Sequence, residues 1–449
     1  MTLLPSFIMP AAGSYLVGGC VRDLLLGRPP RDFDVAVSGP PAEYAAALAA
    51  ALNGRVVELG RTGARTWRVA AAGRIVDVGA IQGADIGDDL LRRDFTINAM
   101  AVATTGGEVI DVVDGLGDLE TRTVRMVSPS AFSDDPVRLV RAFRFAAELG
   151  FTIEPGTRDA ARDAAGLIAR SAGERIRDEL YHLMGAEHPV PAVCGMAESG
   201  LLSAIFPDLQ SQPPAIALRG VDALRRLDAL CTGAAAHPDE AFRRLLRELG
   251  LRRRVLLRLG LVLHPLGSPV DARQRQRALD RLRLPNRDRD HLDRLLTLQA
   301  LPLHLFKTPP APTARDEVLF FLAAGDTVPD LLLLAAAWAR SARVDPGERH
   351  DAFDAHAGRL LHRYLEDYLP RKATPAPLTG DDLIAEFGLR PSPVIGELLQ
   401  LVEAERLTRE AFSRADALRL VQRRLEEKKG CPPNGGRQPG SAGSEGATS

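Results

Sequence analysis

The apolar pattern of this chain changes character at Asp135, and the change limits the folds open to it. Before that point short β-rich runs alternate with helical ones. Tyr15 to Val17, Phe33 to Val37, Arg55 to Glu58, Thr66 to Ala70, Ile75 to Ala80 and Val109 to Val113 read as strands. Pro41 to Leu52 is alanine-rich with no interior breaker and reads as a helix packed on their sheet. From Asp135 onward Leu, Ala and Arg recur at three- and four-residue spacing, with Pro or Gly at the turns, as amphipathic helices require. The expected fold is therefore α+β: a head of mixed sheet with helices, followed by a long all-helical body. A chain of 449 residues is too long for one small core and divides into roughly two to four domains.

The head carries its chemistry in YLVGGCVRDLLLGRPPRDFDVAV, Tyr15 to Val37. Alternate side chains of a strand share a face, so Asp32 and Asp34 project together while Phe33 turns into apolar packing. Two such carboxylates can hold one or two Mg²⁺ ions. Gly18 and Gly19 let the backbone approach a polyphosphate and turn N–H groups toward it, with the charge of Arg22 beside them. Taken alone, the DFD triplet is equally a turn leading into a strand with two solvated aspartates. Farther on, RIVDVGAI places Asp77 in an apolar strand, where a lone carboxylate is costly unless paired or bound to metal.

Three more motifs follow in order: LRRDFTINAMAV from Leu91, SDDPVRLVRAFRFAAELGF from Ser133 and GERIRDEL from Gly173. With GGxVRD and DxD they resemble the class II tRNA nucleotidyltransferase and bacterial poly(A) polymerase family, within the polymerase β-like nucleotidyltransferases. The resemblance covers residues 15 to 180 and implies a polymerase β-like head that adds nucleotides from CTP or ATP to an RNA 3′ end. It implies that Asp77 is the third acidic residue beside Asp32 and Asp34, serving two-metal chemistry with Mg²⁺. It assigns the RRD segment to ribose recognition; there the arginine forks of Arg92 and Arg93 suit triphosphate oxygens, and Asp94 and Asn98 suit ribose hydroxyls. In the third motif, relatives with EDxxR use its Asp and Arg to read the Watson-Crick edge of the incoming base, so no nucleic-acid template is needed. Asp135 and Arg138 fill those places: on a helix the two lie on one face at i and i+3, and Arg141 and Arg144 continue that stripe. Asp134 stands where the family usually has Glu. Glu174 and Arg175 read as part of a following helix that braces the template helix.

Relatives that complete the whole CCA end carry an extended flexible loop between the third-carboxylate strand and the RRD motif. Here that connection, Val78 to Leu91, is short and poor in basic and aromatic residues. It resembles the CC-adding subtype, whose pathway needs a separate A-adding enzyme. The full CCA-adding and A-adding subtypes are alternatives, as is a poly(A) polymerase, although no basic segment follows the DxD strand. An RNA-binding protein with a dead head would need a broken carboxylate set, and all three aspartates are present. A phosphohydrolase built on the body is disfavoured because Pro265 follows His264 where an HD pair needs aspartate. His350 and Asp351 form an HD dipeptide in a polar segment that reads as solvated.

A net charge of −1 gives no global pull toward nucleic acid, so tRNA must be held by local arginine clusters. Arg243, Arg244, Arg247, Arg252, Arg253, Arg254, Arg281, Arg283, Arg287 and Arg289 are the candidates in the body. Cys20, Cys194, Cys231 and Cys431 have no CxxC spacing and suit a reducing cytoplasm. The N-terminus lacks a basic n-region and no apolar run is of bilayer length, so neither a signal peptide nor a membrane span is expected. The expected domains are a catalytic head (1–134), base-recognition and neck helices (135–210), a body resembling a degenerate HD region (211–370), a tRNA-contacting tail (371–427) and a disordered end (428–449).

Overall fold

In a computed structural model, which describes residues 3–60, 65–211, 214–234, 239–267, 272–307, 312–339, 348–409 and 411–430, the head is built on one mixed sheet. Its strands are β1 (Ser14–Val17), β2 (Phe33–Val37), β3 (Arg55–Leu59), β4 (Thr66–Ala71), β5 (Arg74–Ala80), β6 (Met100–Ala103) and β7 (Val109–Asp111), in the order β3-β4-β5-β2-β1-β6-β7. Only β2 and β5 run parallel; the other neighbours are antiparallel. The helices of this part are α1 (Gly19–Leu25), α2 (Pro41–Leu52), α3 (Ile86–Leu91), α4 (Gly115–Glu120), α5 (Ala131–Asp134), α6 (Arg138–Leu149), α7 (Pro155–Asp163) and α8 (Gly173–Gly185).

Alternation within the strands explains the layering. Leu16, Val35, Val76 and Val78 are buried, and α2 covers the sheet with Ala45 and Leu48, which are fully buried. Each such aliphatic side chain contributes roughly 1.5–3 kcal/mol by leaving water. The α2 helix opens on Pro41, whose fixed φ suits a first helical position, and closes on Asn53 in the left-handed region at φ 55°. On the other face Val17, Ala36, Leu90, Ala99 and Ala101 form a smaller cluster that seats α3 against the sheet.

Three differences from the sequence reading have local causes. β6 lies in a stretch with few β-branched residues, and its neighbour β1 fixes it as a strand through the register Leu16 to Val102. β7 ends at Asp111 because that carboxylate accepts N–H bonds from Val113, Gly115 and Leu116, turning the chain away from the sheet. The third difference is that Asp135 is not helical. It takes extended angles, φ −146° and ψ 99°, between α5 and α6. Pro136 follows it, and the residue before a proline is pushed out of the helical region by the ring.

The described chain falls into two compact units, Met1–Ala300 with Asp330–Asp351, and Leu301–Pro329 with Ala352–Ser449. In the first, the helical part is pinned by buried ion pairs. Arg258, 2% exposed, pairs with Asp228 and donates to the carbonyls of Met184 and Ala186. His264 stacks on Trp338 with ring centroids 3.3 Å apart, and burial pushes its pKa down to about 3, so it is a core histidine. The second unit is helical around Leu378, Leu383, Leu398, Val402, Ala417 and Val421. His350 and Asp351 belong to a helix, Glu348–His362, that buries Phe353, Ala357, Leu360 and Leu361. The segment is thus an amphipathic helix, where no apolar helix was expected.

Against the expectation that no apolar run is of bilayer length, one helical stretch, Ala314–Ala339, is long and apolar enough to cross a membrane; its most apolar 18-residue window has a mean hydropathy of 1.8 and is 67% buried inside the protein, as in a core helix. The final helix, Arg414–Gly430, runs past Lys428, where disorder was expected; the rest of that tail, and Cys431 with it, lies outside the described residues.

Candidate active site

The sheet register brings the acidic residues together. Asp34 on β2 stands directly beside Asp77 on β5, and Asp77 stands opposite Arg68 on β4, so the three side chains form a row across adjacent strands. Asp32 lies on the bend just before β2. Arg68 forks onto Asp77, with Nε donating to Oδ1 at 2.8 Å and Nη2 to Oδ2 at 2.7 Å. Asp34 has no such cation on both oxygens. Although its side chain reaches solvent, the protein around it disfavours its charge, Arg93 opposes this, and Asp77 and Asp32 add repulsion, which together push its pKa up to about 6. A carboxylate held uncomfortable by its neighbours is relieved by a bound cation. Among the described residues no three His, Cys, Asp or Glu side chains form a metal cage. Mg²⁺ does not need one, since it commonly takes one or two carboxylates and completes its shell with water and substrate phosphates. The donor pair Asp32 and Asp34 fits that habit.

Gly18 closes the turn between β1 and α1 at φ 79°. A Cβ there would lie 2.8 Å from Arg93 Nη1 and 3.7 Å from Asp34 Oδ2, so a side chain at this position would fill the space where a phosphate could approach both groups. Arg93 is aimed by a residue that the motif reading overlooked. Asp89, buried on α3, accepts from Arg93 Nε at 3.2 Å and Nη2 at 2.8 Å, and also from the Gln82 N–H at 2.9 Å. The sequence signal was present as an acid four residues before an arginine.

Arg22, Asp94, Asn98, Arg141 and Arg144 form a frame. Arg22 Nη1 donates to Asn98 Oδ1 at 2.6 Å, and Asn98 Nδ2 donates to Asp94 Oδ1 at 3.1 Å. Asp94 also accepts from the Phe95 N–H and from Arg141 Nε, each at 2.8 Å. Arg141 and Arg144 share Glu179 of α8, and Arg22, Arg141 and Arg144 all stand over the Phe145 ring, at 5.2, 5.3 and 4.2 Å. Arg22 and Asn98 are buried, and their polar atoms are spent within the protein, on one another, on Asp94 and on Asp23. Burial works against the charge of Asp94, but Arg141, Asn98 and the Phe95 N–H outweigh it and hold its pKa below the ordinary value. Replacing Asp94 by Asn is expected to destabilise the protein by about 3 kcal/mol, because it leaves Arg141 without its buried partner. A carboxylate with a lowered folded pKa stabilises fully above the unfolded value, about 4, and loses that contribution as pH falls through the folded one. The gap between wild type and D94N in urea unfolding should therefore narrow below about pH 4; a gap independent of pH would refute this account of Asp94.

A cleft of about 380 Å³ opens above the frame, lined by Gln82, Asp89, Arg92, Arg93, Asp94, Asp135, Arg138 and Arg141. Asp135 and Arg138 face it from the turn into α6 but do not pair with each other as helix neighbours. Asp135 is held by Arg175 of α8, with Nη1 to Oδ1 at 3.0 Å and Nη2 to Oδ2 at 2.7 Å. Partial burial opposes the charge of Asp135, and Arg175 overcomes it, keeping the carboxyl below its ordinary range. Arg138 Nη2 donates to the Arg92 carbonyl at 2.9 Å. Asp134 accepts from the Ser130 hydroxyl at 2.8 Å. Gln82, Asp89 and Arg92 reach the cleft because the connection from β5 to α3 is short and tied down: Ala84 N–H donates to Asp88 at 2.9 Å and Asp88 N–H to Asp85 at 3.0 Å. Arg144 and Arg22 do not line the cleft.

Several arginines proposed as RNA contacts are engaged within the body. Arg252 pairs with Asp288, Arg253 with Asp330, Arg289 with Asp280 and Arg244 with Glu248, while Arg281 donates to the carbonyls of Ser171 and Ile168.

Residues 14–125 match the family model of the poly A polymerase head domain, and residues 150–212 match that of a probable RNA and SrmB-binding site of polymerase A. Over 433 residues the chain is 34% identical to the CC-adding tRNA nucleotidyltransferase of Geobacter sulfurreducens, covering 94% of this chain and 95% of the relative. The chain belongs to the class II tRNA nucleotidyltransferase and poly(A) polymerase family. As a member of that family it is a nucleotidyltransferase, and its head is of a kind that typically works with metal ions. It is also 32% identical to an A-adding tRNA nucleotidyltransferase of Deinococcus radiodurans, over 93% of this chain and 97% of that one. The Thermotoga maritima CCA-adding enzyme complexed with tRNA shares the fold with a TM-score of 0.63 at 23% identity, over 92% of this chain and 91% of the other. At 34% and 32% identity these CC-adding and A-adding relatives do not decide the subtype of this chain.

Proposed function

We propose that this tRNA nucleotidyltransferase adds C residues from CTP to the tRNA 3′ end and stops at CC, leaving the terminal A to a separate enzyme. The observation that carries this reading is the short, internally bonded connection between β5 and α3. Five residues, 81–85, join them, and Asp85 and Asp88 tie that turn to itself. The family's full CCA-adding members carry an extended flexible loop here, which helps to switch from CTP to ATP. A connection closed by its own hydrogen bonds has no slack for such a switch. The name of the Geobacter sulfurreducens relative supports the reading. The name of the Deinococcus radiodurans relative supplies the alternative, A addition.

In this reading Asp32 and Asp34 hold Mg²⁺. When bound, the ions lower the pKa of the tRNA 3′-hydroxyl and neutralise the departing pyrophosphate. Arg93, aimed by Asp89, takes triphosphate oxygens on the open side of Gly18. Asp135 accepts from the exocyclic amino group of cytosine, while Arg138 donates to its ring nitrogen and carbonyl. Asp94, Asn98, Arg22, Arg141 and Arg144 hold that surface in place from below. Arginines of the helical body engage tRNA phosphates by shape and not by sequence. With ATP as sole nucleotide, a tRNA ending in CC is expected to remain unextended; addition of a single A at a rate comparable to C addition would overturn the CC assignment.

A further inference from the structure

We propose that Arg68 is a positioning residue that removes Asp77 from the metal donors and so keeps the site a two-carboxylate one. The inference rests on the reading of Asp32 and Asp34 as the metal pair. Three observations carry it. The strand registers place Asp34, Asp77 and Arg68 side by side on one face of β2, β5 and β4. Both oxygens of Asp77 receive a guanidinium N–H, at 2.8 and 2.7 Å, in the forked geometry that holds a carboxylate plane most firmly. Asp77 is mostly buried, at 18% side-chain exposure, while Arg68 is at 42%, so the arginine covers the carboxylate from the solvent side.

The consequence concerns when the metal binds. Three free carboxylates in a row would make a strong divalent site that fills without nucleotide. Two carboxylates make a weak one that is completed by the triphosphate, so that metal and nucleotide arrive together. Arg68 sets the second condition. It does so without touching substrate, by fixing the orientation of Asp77 and balancing its charge.

The test is Mn²⁺ binding to the nucleotide-free protein, followed by electron paramagnetic resonance, on wild type, R68A, R68A with D77N, and D34N. Removing Arg68 frees Asp77, so R68A is expected to bind Mn²⁺ about tenfold more tightly than wild type. The R68A/D77N pair, which has neither the arginine nor the third charge, is expected to return to the wild-type affinity, and it guards against a folding defect in R68A alone. D34N is expected to lose Mn²⁺ binding. Unchanged or weaker Mn²⁺ binding in R68A, with D34N still defective, would overturn the role of Arg68 and leave the metal pair standing. Undiminished binding in D34N would overturn the metal pair itself.

Discussion

Replacing Asp34 by alanine is expected to lower the rate of CTP transfer at least about a thousandfold, and to leave tRNA affinity within about twofold of wild type. The size follows from how few donors the site has. Arg68 occupies both oxygens of Asp77, so without Asp34 only Asp32 remains to hold metal, and the attacking hydroxyl loses the charge that activates it. The carboxylate of Asp34 is also the one nearest the open side of Gly18, where the triphosphate passes. Its removal loses the attraction of Arg93 but relieves the desolvation of the charge and the repulsion from Asp77 and Asp32, which together outweigh it, so the variant should fold about as well as the parent. Single-turnover incorporation of labelled CTP, with filter binding of tRNA in parallel, makes the comparison. Transfer retained within tenfold would remove Asp34 from the chemistry.

The second large effect is expected at Asp135. In D135A, kcat/KM for CTP should fall about a hundredfold or more, since a site built to hydrogen-bond a polar group loses heavily when one partner is missing. The informative variant is D135N. An amide can donate where the carboxylate only accepts, and uracil presents a carbonyl where cytosine presents an amino group. D135N should therefore reduce the preference for CTP over UTP by at least about tenfold. It also loosens the clamp from Arg175, so R175A serves as the control: it should weaken both nucleotides together. An unchanged CTP to UTP ratio in D135N would show that Asp135 does not read the base.

What could be read before the structure was what local pattern encodes. The strand positions of Asp34 and Asp77 were legible because apolar alternation fixes which residues lie in strands, and the parallel pairing of β2 and β5 then sets them side by side. Asp135 was misplaced on a helix because the i, i+3 spacing to Arg138 was weighed without the proline between them, although Pro136 disfavours a helical Asp135. The pairing of Arg68 with Asp77 was beyond such reasoning, and Arg175, read as part of a helix that braces the template helix, was named without its partner. Arg68 meets Asp77 through a strand register, and Arg175 meets Asp135 across 40 positions. Neither bond has a signature in neighbouring residues. The frame was half legible: the RRD motif and the motif from Ser133 named Asp94, Arg141 and Arg144, but Glu179, which joins the two arginines, emerged only from the packing of α6 on α8. Among the body arginines read as candidates for an RNA face, Arg252 and Arg253 pair with Asp288 and Asp330.

The most direct test of the account gives the purified protein tRNA transcripts ending at the discriminator base, at C and at CC, with Mg²⁺ and a mixture of CTP and ATP. The site described above predicts growth by two residues, by one and by none, each product ending in CC. A product carrying a terminal A, or a long A tail on any transcript, would contradict it.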